Sequence, residues 1–70
     1  MISLSGVEEG CEVVINSMSN DAQRWLSELG IYEGARVVVY KNDSFNPLIV
    51  GVGESRFGID RGLLNRVYVA

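Results

Sequence analysis

Residues 24–40 read RWLSELGIYEGARVVVY, and within this stretch the spacing of apolar residues changes period. Ala22, Trp25, Leu26 and Leu29 fall at i, i+3, i+4 and i+7, the stripe of an amphipathic helix, while Arg24, Ser27 and Glu28 face outward. Just upstream, Ser19-Asn20-Asp21 supplies capping chemistry. With Asn20 as the N-cap, Gln23 stands three residues on and its side chain closes a capping box. Gly30 suits the left-handed position that ends a helix, and Ile31 then packs back on Leu26 as in a Schellman motif. Gly34 permits a second turn, after which Ala35 to Tyr40 is rich in β-branched residues and reads as a strand. The stretch is one abrupt junction from helix to sheet.

The flanking sequence is mostly strand. Cys11 to Met18 places Cys11, Val13 and Ile15 on one face, Asn42 to Pro47 is a polar loop, and Leu48–Val52 with Ser55–Ile59 forms a hairpin turning at Gly53-Glu54. Asp60 caps a short helical turn through Leu63 and Leu64, and Val67 to Val69 is a closing strand. The expected fold is mainly β: a small five- to six-stranded barrel with one inserted α-helix, about residues 20–29, and a short C-terminal helical turn. Closure hides the sheet edges that so short a chain cannot otherwise cover.

With 70 residues the chain has room for one small domain, residues 1–70. Its core contributes net stability of only about 3 to 5 kcal/mol. One cysteine forms no internal disulfide, and without histidine there is neither a zinc site of the usual kind nor a histidine-assisted nucleophile. No catalytic, cofactor-binding or metal-binding residue is assigned; the chain does not read as an enzyme. A net charge of −3 disfavours nucleic acid as a partner. No run approaches the roughly 18 apolar residues of a membrane span, and a soluble, intracellular protein is expected. Glu8, Glu9 and Glu12 lie early and Arg56, Arg61 and Arg66 late, so the two ends are expected to meet as a solvated surface.

In order, the chain carries Leu4 and Gly10 before a first strand, then Arg24-x-Leu26-x-Glu28-Leu29-Gly30-Ile31-x-x-Gly34-x-x-Val37, then Asn46-Pro47-Leu48-Ile49-Val50 and a final Val67-x-Val69. This pattern resembles the FeoA family over nearly the whole chain, most specifically in the LxELGIxxGxxV core. The family commonly has proline where Glu33 precedes Gly34, and often two prolines in the loop that here keeps only Pro47. The resemblance implies an SH3-like barrel with an inserted helix. It also implies a small cytoplasmic component of bacterial ferrous iron uptake, acting beside the large (FeoB-like) membrane transporter whose cytoplasmic part carries a GTPase domain. An alternative implied by the same resemblance is a regulatory module related to the C-terminal domain of iron-dependent repressors, binding a protein segment or metal. A third is a GTPase activator using Arg24 in trans.

Among individual residues, Cys11 reads as a small buried hydrophobe, since Glu12 beside it does not activate a thiol. Glu8/Glu9 and Asp43 near Ser44 are loose oxygen donors, short of a ferrous iron site. Trp25 reads as a core anchor between helix and barrel in preference to an exposed binding aromatic. Tyr32, Tyr40, Phe45 and Tyr68 are candidates for a shallow peptide groove. Phe45 interrupts a polar loop, so its ring is either tucked under or held for a partner. The candidate partner-binding set is Arg24, Glu28, Tyr32 and Glu33, with Phe45 as a second contact. It would be directed at the transporter's cytoplasmic domain.

Overall fold

The computed structural model describes residues 2–70. The elements are β1 (Ile2–Ser3), a 3₁₀ turn (Leu4–Gly6), β2 (Glu12–Met18), α1 (Asn20–Leu26), a second 3₁₀ turn (Ser27–Leu29), β3 (Arg36–Lys41), β4 (Leu48–Val52), β5 (Ser55–Ile59), α2 (Arg61–Leu64) and β6 (Val67–Val69). All strand pairs are antiparallel, in the order β1-β6-β2-β3-β4-β5. The expected SH3-like architecture is therefore present with six strands.

Two bulges curl the sheet. In β2, Ile15 aligns with Val69 and Ser17 with Tyr68, leaving Asn16 as an extra residue; in β3, Val39 aligns with Val50 and Lys41 with Ile49, leaving Tyr40 extra. A bulge bends its strand and sharpens the local twist, so both halves of the sheet turn toward one interior. Leu4, Ile15, Val37, Val39, Leu48, Val50, Leu64 and Val67 fill it, and Leu26 and Ile31 from the helical segment complete it. The β4–β5 turn has its positive φ at Gly53 and none at Glu54, the pattern of a II′ hairpin.

The helix starts one residue earlier than the capping argument places it. Ser19, not Asn20, is the N-cap: its Oγ accepts from the Ala22 amide at 3.2 Å, and its carbonyl accepts from the Gln23 amide at 2.9 Å. Ser19 has extended backbone while Asn20 is already helical, so the Asn20–Gln23 box has no geometry in which to form. The C-terminal end is as expected. Ile31 donates its amide to the Leu26 carbonyl at 3.1 Å and Gly30 to Ser27 at 3.1 Å, with Gly30 at φ 85°, which is a Schellman motif.

Two other expectations are corrected. Cys11 is exposed. It closes a turn by donating its amide to the Glu8 carbonyl, with Gly10 at φ 88°, and so precedes the strand instead of pointing from its inner face. Trp25 is 67% exposed. The buried stripe narrows to Ala22 and Leu26, with Leu29 half-buried, and Trp25 hangs off its flank because i+3 lies about 60° from the stripe's centre. The two ends of the chain do meet, β1 pairing with β6 and Arg61 donating to the Ser5 carbonyl at 3.3 Å, while among the described residues the ion pairs are Glu12–Arg36 at 3.7 Å and Asp21–Arg66 at 3.5 Å.

Candidate functional site

The site is built on the junction. Arg24, Glu28, Tyr32 and Glu33 are all solvent-exposed, Tyr32 by 56%. The first two stand on the helical segment. The second two follow the Schellman turn and form the start of a β-turn that closes with the Ala35 amide donating to the Tyr32 carbonyl at 2.9 Å. Gly34, at φ 90°, is the third residue of that turn, a type II position, and Glu33 occupies the second, where proline is favoured. The Gly34 amide also donates to the Ile15 carbonyl at 2.8 Å, fastening the turn to β2. The surface is thus held on rigid backbone.

Arg24 and Glu28 do not form the ion pair that four-residue spacing suggests. From Ser27 the helix tightens to 3₁₀ geometry, which adds about 20° of rotation per residue. Glu28 therefore swings away from Arg24 toward the flank that carries Trp25. Trp25 belongs to this surface, and reading it as core concealed it. A helix only seven residues long buries a stripe narrower than the sequence period implies.

Phe45 lies elsewhere. Gly30 packs toward Val52, since a Cβ there would sit 3.6 Å from Val52 Cγ1, at the C-terminal end of β4. Phe45 precedes the other end of that strand, about 13 Å away along it. Its ring is 91% exposed, so of the two readings the loop holds it outward. The loop itself is well fastened. Asp43 accepts from the Phe45 amide at 3.0 Å, the Asn46 amide at 2.8 Å and the Asn46 side chain at 2.6 Å. The Asn46 amide above all, then that of Phe45 and the Asn46 side chain, with Arg61 adding charge, pull the Asp43 carboxyl from 3.8 down to about 2. Arg61 bridges the Asn46 carbonyl at 2.9 Å and the Ser5 carbonyl at 3.3 Å, and Asn42 donates to the same Ser5 carbonyl at 2.9 Å. A cleft of about 460 Å³ opens beside this loop between Lys41, Pro47, Ile49 and Gly58.

The four smaller aromatics do not make one groove. Tyr40 stacks under the Arg56 guanidinium, 3.9 Å from ring centroid to carbon, and Tyr68 sits on β6 opposite Ser17. Val38 in β3 aligns with Glu12 at the start of β2, so Tyr40 and Tyr68 lie at opposite ends of that strand. Among the described residues no three Cys, Asp or Glu side chains gather in a metal-ligating group. Nor is any helix among them long and apolar enough to cross a membrane.

Comparison with known proteins now decides the family. The FeoA domain profile matches residues 2–70. The chain belongs to the FeoA family. Among solved structures, an iron uptake regulatory protein, FeoA, is 30% identical, with 97% of this chain and 93% of that one covered and a TM-score of 0.89. FeoA of Stenotrophomonas maltophilia, described in complex with zinc as a procaryotic SH3 domain protein and a candidate ferrous iron transport activating factor, is 31% identical; coverage is 100% of this chain and 91% of that one, with a TM-score of 0.85. A manganese-dependent transcriptional repressor shares the fold alone, at 15% identity and a TM-score of 0.86, with 97% of this chain covering 40% of the repressor. No curated protein matches this FeoA-family chain in sequence.

Proposed function

We propose that this FeoA-family protein is a non-catalytic cytoplasmic accessory of bacterial ferrous iron uptake. In this reading it binds the cytoplasmic, GTPase-bearing part of the membrane iron transporter through the junction surface Arg24, Glu28, Tyr32 and Glu33. Family membership supplies the iron context. The observation that carries the contact surface is that the Schellman turn and the Gly34 turn hold, on fixed backbone, an exposed tyrosine and charges that have no ion pair among the described residues. Surfaces of that composition dock specifically without a deep pocket, because little entropy is lost in ordering them. Phe45 is a second, separate contact at the far end of β4. The lack of histidine and of any three-carboxylate or thiolate group among the described residues supports a role in protein contact, with iron as the transporter's cargo.

Titration of the transporter's soluble domain against the parent, Arg24→Ala, Tyr32→Ala and Phe45→Ala tests this. Weakened binding by the first two variants is expected. Unchanged affinity in both, with folding intact, removes the junction surface; loss with Phe45→Ala alone moves the contact to the loop.

A further inference from the structure

Trp25 is the only tryptophan of the chain, and its indole is largely exposed on the flank of a helix whose other apolar residues are buried. One 3₁₀ turn later stands Glu28, three residues on, where side chains in 3₁₀ geometry eclipse. Glu28 has no ion-pair partner among the described residues. The neighbouring groups on this flank are accounted for: Asp21, one turn earlier, is engaged with Arg66 at 3.5 Å, and among the described residues Arg24 pairs with no carboxylate and does not stack on the indole. Elsewhere the protein does complete such a stack, Arg56 over Tyr40 at 3.9 Å. Trp25 with Glu28 therefore offers the same aromatic face, plus a carboxylate, without a cation.

We propose that Trp25 and Glu28 receive an arginine side chain from a protein partner, the guanidinium lying on the indole face while its N–H fork meets the Glu28 carboxylate. This deepens the proposed junction contact and rests on it. Arginine fits because its planar, weakly hydrated cation stacks on aromatic rings and pairs with carboxylates through two parallel donors, which a lysine ammonium does not. Charge favours the same occupant: Glu33 beyond the turn is a second carboxylate with no ion pair among the described residues, so that Glu28 and Glu33 outnumber Arg24 on this surface, and the chain carries a net charge of −3.

The single tryptophan makes its own emission the readout. The intact protein is titrated with short glycine-spaced peptides bearing three arginines, three lysines, three leucines or three glutamates. The arginine peptide is expected to change Trp25 emission saturably and to bind about fivefold more tightly than the lysine peptide, with the difference shrinking in high salt. Glu28→Gln should weaken the arginine peptide about fivefold at an unchanged melting temperature, and Glu8→Gln should leave it unaffected. Calorimetry on Trp25→Ala, which lacks the reporter, should show the same loss. An equal response to the leucine peptide makes the surface merely apolar and overturns the proposal. So does indifference to Glu28→Gln. If the arginine peptide fails while the transporter's soluble domain still binds through Tyr32, this inference falls alone; if the peptide binds and the domain does not, the choice of partner falls and the arginine receptor stands.

Discussion

The ring of Tyr40 occupies the space that a side chain at Gly51 would fill: a Cβ built on Gly51 collides with Tyr40 Cε2. The bulge that makes Tyr40 the extra residue of β3 swings its ring across β4, and the Arg56 guanidinium stacks on that ring. Gly51→Ala should accordingly cost about 1 to 3 kcal/mol by overpacking. In denaturant unfolding, adding Tyr40→Ala to Gly51→Ala should recover part of that cost; simple additivity of the two changes would contradict the contact.

Leu26 and Trp25 are sequence neighbours with opposite fates, the first fully buried and the second exposed. Leu26→Ala is expected to cost about 2 to 5 kcal/mol through a cavity, as much as a domain of this size has. Trp25→Ala should stay within about 0.5 kcal/mol of the parent. Thermal melts of the two variants check the pair, and a reversal of their order would refute the placement of the helix on the barrel.

At the start of α1, the Ser19 hydroxyl and not the Asn20 side chain caps the helix. Ser19→Ala should cost about 1 kcal/mol, and Asn20→Ala no more than a few tenths. Comparable losses from both would restore Asn20 as a cap.

Asp43 titrates far below its ordinary range, at about 2 against 3.8. A depressed carboxyl stabilises the native loop fully above its unfolded value, and that contribution is lost as pH falls through the folded one. The Phe45 loop should thus keep its form across neutral and mildly acidic pH and loosen only as pH drops from about 4 toward about 2. The amide resonances of Phe45 and Asn46, followed by NMR, should shift with a midpoint near the lower value in the parent and show no such step in Asp43→Asn. A midpoint near the ordinary value would mean that the three hydrogen bonds to Asp43 do not persist in solution.

Backbone-determined features were the legible ones. Gly30, Gly34 and Gly53 announce their turns because only glycine takes those angles readily, and the hydrophobic periods on either side locate α1 and β3. Asp60 caps α2 as expected, accepting from the Leu63 amide at 3.3 Å. What a period cannot convey is how wide a face is covered. Trp25 fits the helical stripe as well as Leu26 does, and only the width of the underlying barrel decides that one is core and the other surface. Cys11 likewise alternates correctly with Val13 and Ile15, but the turn at Gly10 ends the strand one residue short of it. The curl of the sheet was hidden for a related reason. A bulge shifts pairing by one residue without any fixed sequence mark, and Asn16 and Tyr40 give none. For the site, the junction residues were identifiable because exposure followed from polarity, while the separation of Phe45 from them depends on the run of β4.

The strand order sets a condition on synthesis. β6, made after the other five strands, does not join an edge: it lies between β1 and β2, with Val69 aligned to both Ile2 and Ile15. Until Val67–Val69 have left the ribosome, β1 has no neighbour and one side of β2 is bare. Long-range pairing of this kind is slow to form and exposes unpaired strand in the meantime. The chain must therefore be released past residue 69 before it can fold, and any C-terminal truncation reaching β6 should yield an unfolded and readily degraded product.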